Sequence, residues 1–344
     1  MSEREAERRR WRAVVMARQV AAVDASAERA RADGDAVSAC RFWLGAMRQA
    51  QRFLRGWGTR PGAVEEKAGH CATLEALIGE ARSALAGADP GDVREARSRL
   101  GVRVAVVGKG GTGKSLVSGT LARLLARRGR PVLAVDFDTN PGLAYSLGIP
   151  PTEGALPGQV VMQHAGASYG WGVRDGVTPA EVVDGHAVAG PDGTRFVSLG
   201  KIDDIDKDAP KQTVVALCQL VAEFGEPGWD IVGDMEAGPT TPFERYHAFA
   251  EQVAIVVTPT WVSAMTARRL LPMVDDVDTV FVGNQFRDEP DHPGMTPLVR
   301  IPIDPAVADA ERRGLAPLDA CPDSPTIAAI ARLADTLTNQ EVTV

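Results

Sequence analysis

The chain has 344 residues, 44% of them hydrophobic and 24% charged, with a formal charge of −7 and a mean hydropathy of −0.09. That composition suits a globular protein large enough for more than one domain and excludes a wholly disordered chain. Its acid excess argues against a general nucleic-acid binder.

The first hundred residues are rich in Ala, Arg and Glu and poor in strand formers, so they predict an all-α bundle. A first helix over about 3–32 carries Trp11, Val15, Val20 and Val23, with Gly34 placed to end it. A second carries Val37, Cys40, Leu44, Met47 and Leu54, and a third Cys71, Leu74, Ile78, Ala81 and Leu85. Steps of three and four put each set on one helix face. Turn signals stand at Gly56-Trp57-Gly58, Arg60-Pro61-Gly62 and Asp89-Pro90-Gly91, and about 88–100 reads as a linker or a last short helix. Charge divides at the same place. Residues 1–100 hold 18 basic and 14 acidic side chains, and the remainder 20 basic and 31 acidic. Domains of 1–100 and 101–344 are therefore expected.

From residue 102, short Val- and Ile-rich runs alternate with helical patterns, which predicts an α/β domain with a mostly parallel sheet and helices on both faces. Strands are expected at 102–107, 131–136, 195–200, 229–234, 253–258, 279–284 and 298–303, and helices at 114–128, 211–224, 262–274 and 325–338. Residues 151–193, with many Gly and Pro, carry no clear pattern. The longest apolar runs, such as 253–257, fall far short of the ~20 residues a bilayer span needs, so no membrane insertion is expected. The charged start, MSEREAERRR, lacks a leader's apolar segment and predicts a cytoplasmic protein. Cys40, Cys71, Cys218 and Cys321 form no CxC or CxxC pair and read as small buried hydrophobes.

Between the first strand and its helix lies Gly108-Lys109-Gly110-Gly111-Thr112-Gly113-Lys114-Ser115, the G-x4-G-K-S/T phosphate loop in its strand–loop–helix setting. Glycines let backbone N–H groups turn inward on a phosphate, and the helix start adds its positive end. Lys114 can reach the β- and γ-phosphates, and the Ser115 hydroxyl can ligate Mg²⁺. Gly108-x-Gly110-x-x-Gly113, with Asp136 on the next strand, also fits a dinucleotide fingerprint, but that reading has no use for Lys114 and Ser115 or for a second acid at Asp138.

With Lys109 following its first glycine, GKGGTGKS resembles the loop of the deviant-Walker-A P-loop ATPases (SIMIBI class), the group of MinD, ParA and the nickel-insertion ATPase CooC. The resemblance covers about 102–340. It implies a homodimer sandwiching two ATP molecules, with each Lys109 reaching the partner's phosphates much as an arginine finger does. Asp136-Phe137-Asp138-Thr139-Asn140-Pro141-Gly142-Leu143 is similar to the family's DxDPxxNL element. It implies that Asp138 positions or deprotonates the attacking water, with Asp136 structural. Asp234-Met235-Glu236-Ala237-Gly238 is similar to the DMEAG of CooC-like proteins, with Asp234 as the Mg²⁺ partner and Gly238 N–H sensing the γ-phosphate. Asn284 matches the Asn that bonds adenine, and 301–307 with 310–314 resemble the segment closing the base pocket.

The resemblance has gaps. Where nickel-handling relatives carry a CxC, 201–210 holds four aspartates and no cysteine, so a thiolate nickel site is not expected, and a solvated loop is favoured over a cation site. The C-terminal stretch, with one Arg and two acids after residue 325, lacks MinD's basic membrane helix. What remains is an ATP-binding and hydrolysing switch that dimerises and acts on a protein partner or cargo through residues 1–100. Two alternatives stay open: a ParA-like positioning ATPase binding DNA through Arg8, Arg9, Arg10 and Arg12, and a non-hydrolysing ATP-bound scaffold working through the bundle. The basic bundle could equally dock on the acidic ATPase domain of its own chain.

Overall fold

The computed structural model describes residues 3–58, 67–138, 142–150, 160–163, 171–198, 209–238 and 246–339. Its helical part comprises α1 (Glu3–Ala32), α2 (Ala36–Gly58), α3 (Lys67–Gly87) and α4 (Pro90–Ser98). Val23, Leu44, Leu74 and Ala81 are wholly buried, so the three- and four-residue spacings do point inward. Of the cysteines, Cys40 is buried and the other three are half-buried; all four are free thiols.

The three turn signals fare differently. Helix α2 continues through Gly56-Trp57-Gly58 because Trp57 has a packing site. Its ring stacks on Phe53, and its indole N–H donates to Gln19 Oε1 at 2.7 Å. Tertiary burial there outweighs two helix-disfavouring glycines. Asp89-Pro90-Gly91 opens α4. The Asp89 carboxylate accepts from the Gly91 and Asp92 N–H groups, and Pro90 occupies the first turn, where it has no bond to lose. Arg60-Pro61-Gly62 lies outside the described residues.

The second part is a sheet of β1 (Arg103–Gly108), β2 (Val132–Asp136), β5 (Val188–Ala189), β6 (Arg195–Ser198), β7 (Asp230–Asp234), β8 (Gln252–Val257), β9 (Asp278–Asn284) and β10 (Pro297–Ile301). The order is β10-β9-β8-β1-β7-β2-β6-β5, parallel except where the two-residue β5 runs antiparallel to β6. Each predicted strand is present to within a few residues. Within the unpatterned 151–193 region lie a short antiparallel pair, β3 (Val161–Gln163) with β4 (Trp171–Val173), and α7 (Pro179–His186), which a Thr178/Glu181 capping box begins.

Alternate side chains leave opposite sheet faces, and both faces are covered. Val104, Val106, Ala134 and Val232 pack with α5 (Lys114–Arg127), α6 (Gly142–Leu147) and α12 (Pro325–Asn339). Ala105, Val107, Val135 and Ile255 pack with α8 (Ala209–Glu223) and α9 (Trp261–Leu270). Helix α9 stops short of the predicted 274 because Pro272 cannot continue the bond ladder, and a 3₁₀ turn, Leu271–Met273, follows. Two further helices, α10 (Pro305–Arg312) and α11 (Pro317–Ala320), complete the chain. No helix among the described residues is long and apolar enough to cross a membrane.

The helical part joins the second face in one continuous core. Charges cross the same boundary. Arg18 meets Glu223 at 3.1 Å, Arg29 meets Glu226 at 2.5 Å, and Arg48 and Arg52 both pair with Glu251. Part of the bundle's basic excess is therefore neutralised by the acidic part of its own chain.

Candidate functional site

Parallel strands deliver their carboxyl ends to one edge of the sheet, where Gly108, Asp136, Asp234, Val257 and Asn284 end β1, β2, β7, β8 and β9. The phosphate loop rises from the middle of this edge, between β7 and β8. Gly108 has φ +152°, and a Cβ there would lie 2.6 Å from the Val256 carbonyl oxygen. Gly113 has φ +89°, and its Cβ would lie 2.3 Å from Asn284 Nδ2. Both positions combine a backbone that L side chains rarely adopt with a neighbour that leaves no room. Gly110 and Gly111 are exposed on the loop crest, and only Gly111 has positive φ, +80°. The Thr112 N–H and hydroxyl both donate to Lys109 O, at 3.3 and 2.9 Å, and close the loop.

Lys114, first residue of α5, is buried, whereas Lys109 is partly exposed with Nζ donating to Gly110 O at 3.3 Å. The two lysines of the loop thus differ in exposure.

Opposite the loop stand the acids. Asp136 and Asp234 are register partners across β2 and β7. Asp136 is buried, and its carboxylate accepts from the Asp138 N–H at 3.0 Å and the Leu143 N–H at 3.3 Å. It thereby ties the backbone of Asp138 and of Leu143 to the end of β2. Burial and then the charge of Asp234 hold Asp136 well above the ordinary carboxylate range. Asp234 is 1% exposed, with the Ser115 hydroxyl beside it, and its Oδ1 accepts from Ser118 Oγ at 3.3 Å. Burial pushes Asp234 up to about 6, with the Ser115 hydroxyl and the Lys114 charge opposing. Glu236 is also raised, by burial and then by Asp138. These shifts describe crowded anions short of positive charge.

Gly238, φ +94°, donates its N–H to Gly108 O at 3.2 Å and so ties the segment after β7 to the start of the loop. Asn284 is buried. Its Nδ2 donates to Thr112 O at 2.7 Å and its Oδ1 accepts from the Gln285 N–H at 2.9 Å. The amide thereby braces the phosphate loop and keeps one N–H proton for another acceptor. That bracing role, the contact of Ser118 with Asp234 and the crowding of Glu236 were not read from the sequence, since each depends on which strands become neighbours. Thr139, Asn140 and Pro141 and the stretch 201–208 lie outside the described residues.

The donor set suits Mg²⁺: a buried carboxylate at Asp234 and the Ser115 hydroxyl, beside space that a Cβ on Gly142 would fill at 2.7 Å from Ser115 Oγ. Among the described residues no group of three or more His, Cys, Asp or Glu forms a protein-only metal cage. A hard cation completed by phosphate oxygens fits this arrangement better than a resident transition metal.

The family model described as the CobQ/CobB/MinD/ParA nucleotide binding domain matches residues 104–318. An uncharacterized ATP-binding protein of Methanocaldococcus jannaschii is 27% identical over 201 residues, 55% of this chain and 76% of that protein. The carbon monoxide dehydrogenase accessory protein CooC of Rhodospirillum rubrum is 47% identical over 49 residues, 14% of this chain and 19% of that protein. Among solved structures, MinD of Pyrococcus horikoshii complexed with Mg-ADP has TM-score 0.48 and 19% identity, covering 69% of this chain and 96% of its own. A ParA family ATPase from Chlorobium tepidum also has TM-score 0.48 and 19% identity, covering 67% and 98%.

Proposed function

This chain belongs to the CobQ/CobB/MinD/ParA nucleotide-binding domain family, and from that premise we propose that it is a Mg-ATP-hydrolysing switch that dimerises around ATP and acts on a partner protein or cargo. The observation carrying the proposal is the meeting, at one sheet edge, of the glycine loop, buried Lys114, Ser115 and the acids Asp138 and Asp234.

In this reading the loop N–H groups and the start of α5 hold the phosphates, and Lys114 neutralises charge on the leaving and transferred oxygens. Mg²⁺, held through Ser115 and Asp234, supplies further neutralisation of the phosphate oxygens. Asp138 orients the attacking water and accepts its proton on a carboxylate oxygen, at a position fixed by the Asp136 brace. Lys109, the more exposed of the two loop lysines, serves the phosphates of the second subunit. The Gly238 N–H leaves Gly108 O for the γ-phosphate and returns after hydrolysis, which gives the segment after β7 two states. Asn284 offers its remaining N–H to the base.

A protein partner is favoured over DNA because carboxylates of the same chain engage Arg18, Arg29, Arg48 and Arg52 of the helical part, which confines the DNA alternative to Arg8, Arg9, Arg10 and Arg12. DNA binding that falls steeply with salt and requires ATP would reverse that preference. Light scattering of Asp138→Ala tests the core: Mg-ATP should convert it to a stable dimer, and a persistent monomer refutes the sandwich. Multiple-turnover hydrolysis that Lys114→Ala abolishes separates the switch from a non-hydrolysing scaffold.

A further inference from the structure

A second cluster of buried charge lies away from the phosphate loop, at the other end of β1. Arg103 opens that strand and Gly108 closes it. Beneath Arg103, helix α2 packs against the turn after α8 and the start of β8, and a small cavity remains, lined by Arg48, Gln49, Arg52, Arg103, Pro227 and Glu251. Arg48, Arg52 and Arg103 are each more than nine-tenths buried. The one carboxylate on the cavity wall, Glu251, pairs with both Arg48 and Arg52. Arg103 Nη2 donates to Phe224 O at 2.6 Å, and both Nη atoms of Arg48 reach Gly101 O at 3.3 Å.

On this cavity's wall three buried N–H groups stand without an acceptor among the described residues, Arg48 Nε, Arg52 Nε and Arg103 Nη1, against one buried acceptor without a donor, Gln49 Oε1. The next carboxylates out are already taken, Asp230 by Arg130 at 2.5 Å and Glu226 by Arg29 at 2.5 Å. Five guanidiniums therefore share three carboxylates among the described residues, and Arg55 adds its charge beside Arg52. Guanidinium does not give up its proton in a protein, so the excess needs a counter-charge. Burial and then mutual repulsion press Arg48 down to about 9, and burial holds Arg103 down to about 10, the direction that a missing anion produces. The space is about that of one water molecule, so only a single-atom anion could be seated, with slight adjustment of the guanidiniums, and phosphate is too large.

We propose that this cavity binds one small inorganic anion of chloride size, which holds helix α2 against the first residues of β1 and β8. The site is independent of the nucleotide reading and joins the two parts of the chain at the sheet edge opposite the phosphate loop. Crystals of the full chain grown or soaked in sodium bromide test it directly. An anomalous peak within hydrogen-bonding distance of at least two of Arg48, Arg52 and Arg103 is expected, and a water refining there without anomalous signal overturns the proposal. In solution, sodium chloride should raise Tm by about 2–4 °C over sodium gluconate at equal ionic strength, saturating with one site per chain. Arg103→Met should remove at least two-thirds of that difference, whereas Gln49→Ala, which removes no charge, should keep it. Equal melting in chloride and gluconate overturns the proposal. Should Arg103→Met fail to fold, the bromide experiment on the unaltered protein still decides.

Discussion

Gly113→Ala isolates how the phosphate loop is held. At φ +89° an alanine carries roughly 1–2 kcal/mol of left-handed strain. Its Cβ would also sit 2.3 Å from Asn284 Nδ2, so the amide must move and its 2.7 Å bond to Thr112 O is lost, at a further ~1 kcal/mol. The single change should therefore cost about 2–3 kcal/mol. Asn284→Ala, which removes the same bond while the Gln285 N–H keeps the Ile301 carbonyl oxygen as acceptor at 3.0 Å, should cost about 1–2 kcal/mol. The double variant counts the lost Thr112 bond once, so it should be more stable than the sum of the singles by about 1 kcal/mol. Urea unfolding of the nucleotide-free proteins, followed by tryptophan fluorescence, measures all four corners of the cycle. Gly110→Ala serves as the control, since its φ is not positive and its Cβ meets only Ala237 Cβ at 3.5 Å. Additivity within about 0.3 kcal/mol would mean that Asn284 does not brace the loop, and the reasoning fails.

Asp136→Ala should lower kcat at least tenfold with little change in KM, because the turn carrying Asp138 loses two N–H acceptors while the phosphate loop is untouched; steady-state kinetics decide, and a change confined to KM would refute the brace. Arg18→Met should destabilise by about 2 kcal/mol at pH 8 and by much less at pH 5. Burial already raises Glu223 above the ordinary glutamate range, and removing its guanidinium raises it further. The folded form therefore holds a proton that the unfolded chain releases, and stability falls as pH rises through the folded value; equal urea midpoint shifts at the two pH values would contradict this. Gly101→Ala should cost about 1–3 kcal/mol, since its Cβ would lie 1.8 Å from the Trp229 carbonyl oxygen, backbone that cannot rotate aside. A loss below 0.5 kcal/mol in urea would show that the junction is soft.

The sheet and phosphate loop were readable from sequence because each rests on local rules. Strands covered on both faces are unbroken apolar runs, and Gly108 and Gly113 sit where strand, loop and helix must join. The acids Asp136, Asp138 and Asp234 were legible through a motif, but which of them braces and which faces the loop depended on β2 and β7 being neighbours. Asn284 illustrates the limit: its strand end was visible, yet its bond to Thr112 spans 172 positions. The same holds for the link between bundle and sheet. Arg52 and Glu251 are 199 positions apart, and nothing local in either marks the other. Trp57 was misread because a turn signal is local and its stacking on Phe53 against Gln19 is not. The β3–β4 pair has strands of three residues, too short for alternation to register.

The margins of the sheet restrict how copies of this protein can associate. One margin is β5, two residues long and running against the grain of its neighbour; the other is β10, which begins at Pro297 and lies under α12. Among the described residues the first offers two residues of strand edge and the second five, opening on a proline that has no N–H to donate. Growth by sheet extension into a ribbon is thereby disfavoured, which turns association of these chains toward side-chain surfaces, on the loop-bearing end or on the outward faces of the helices.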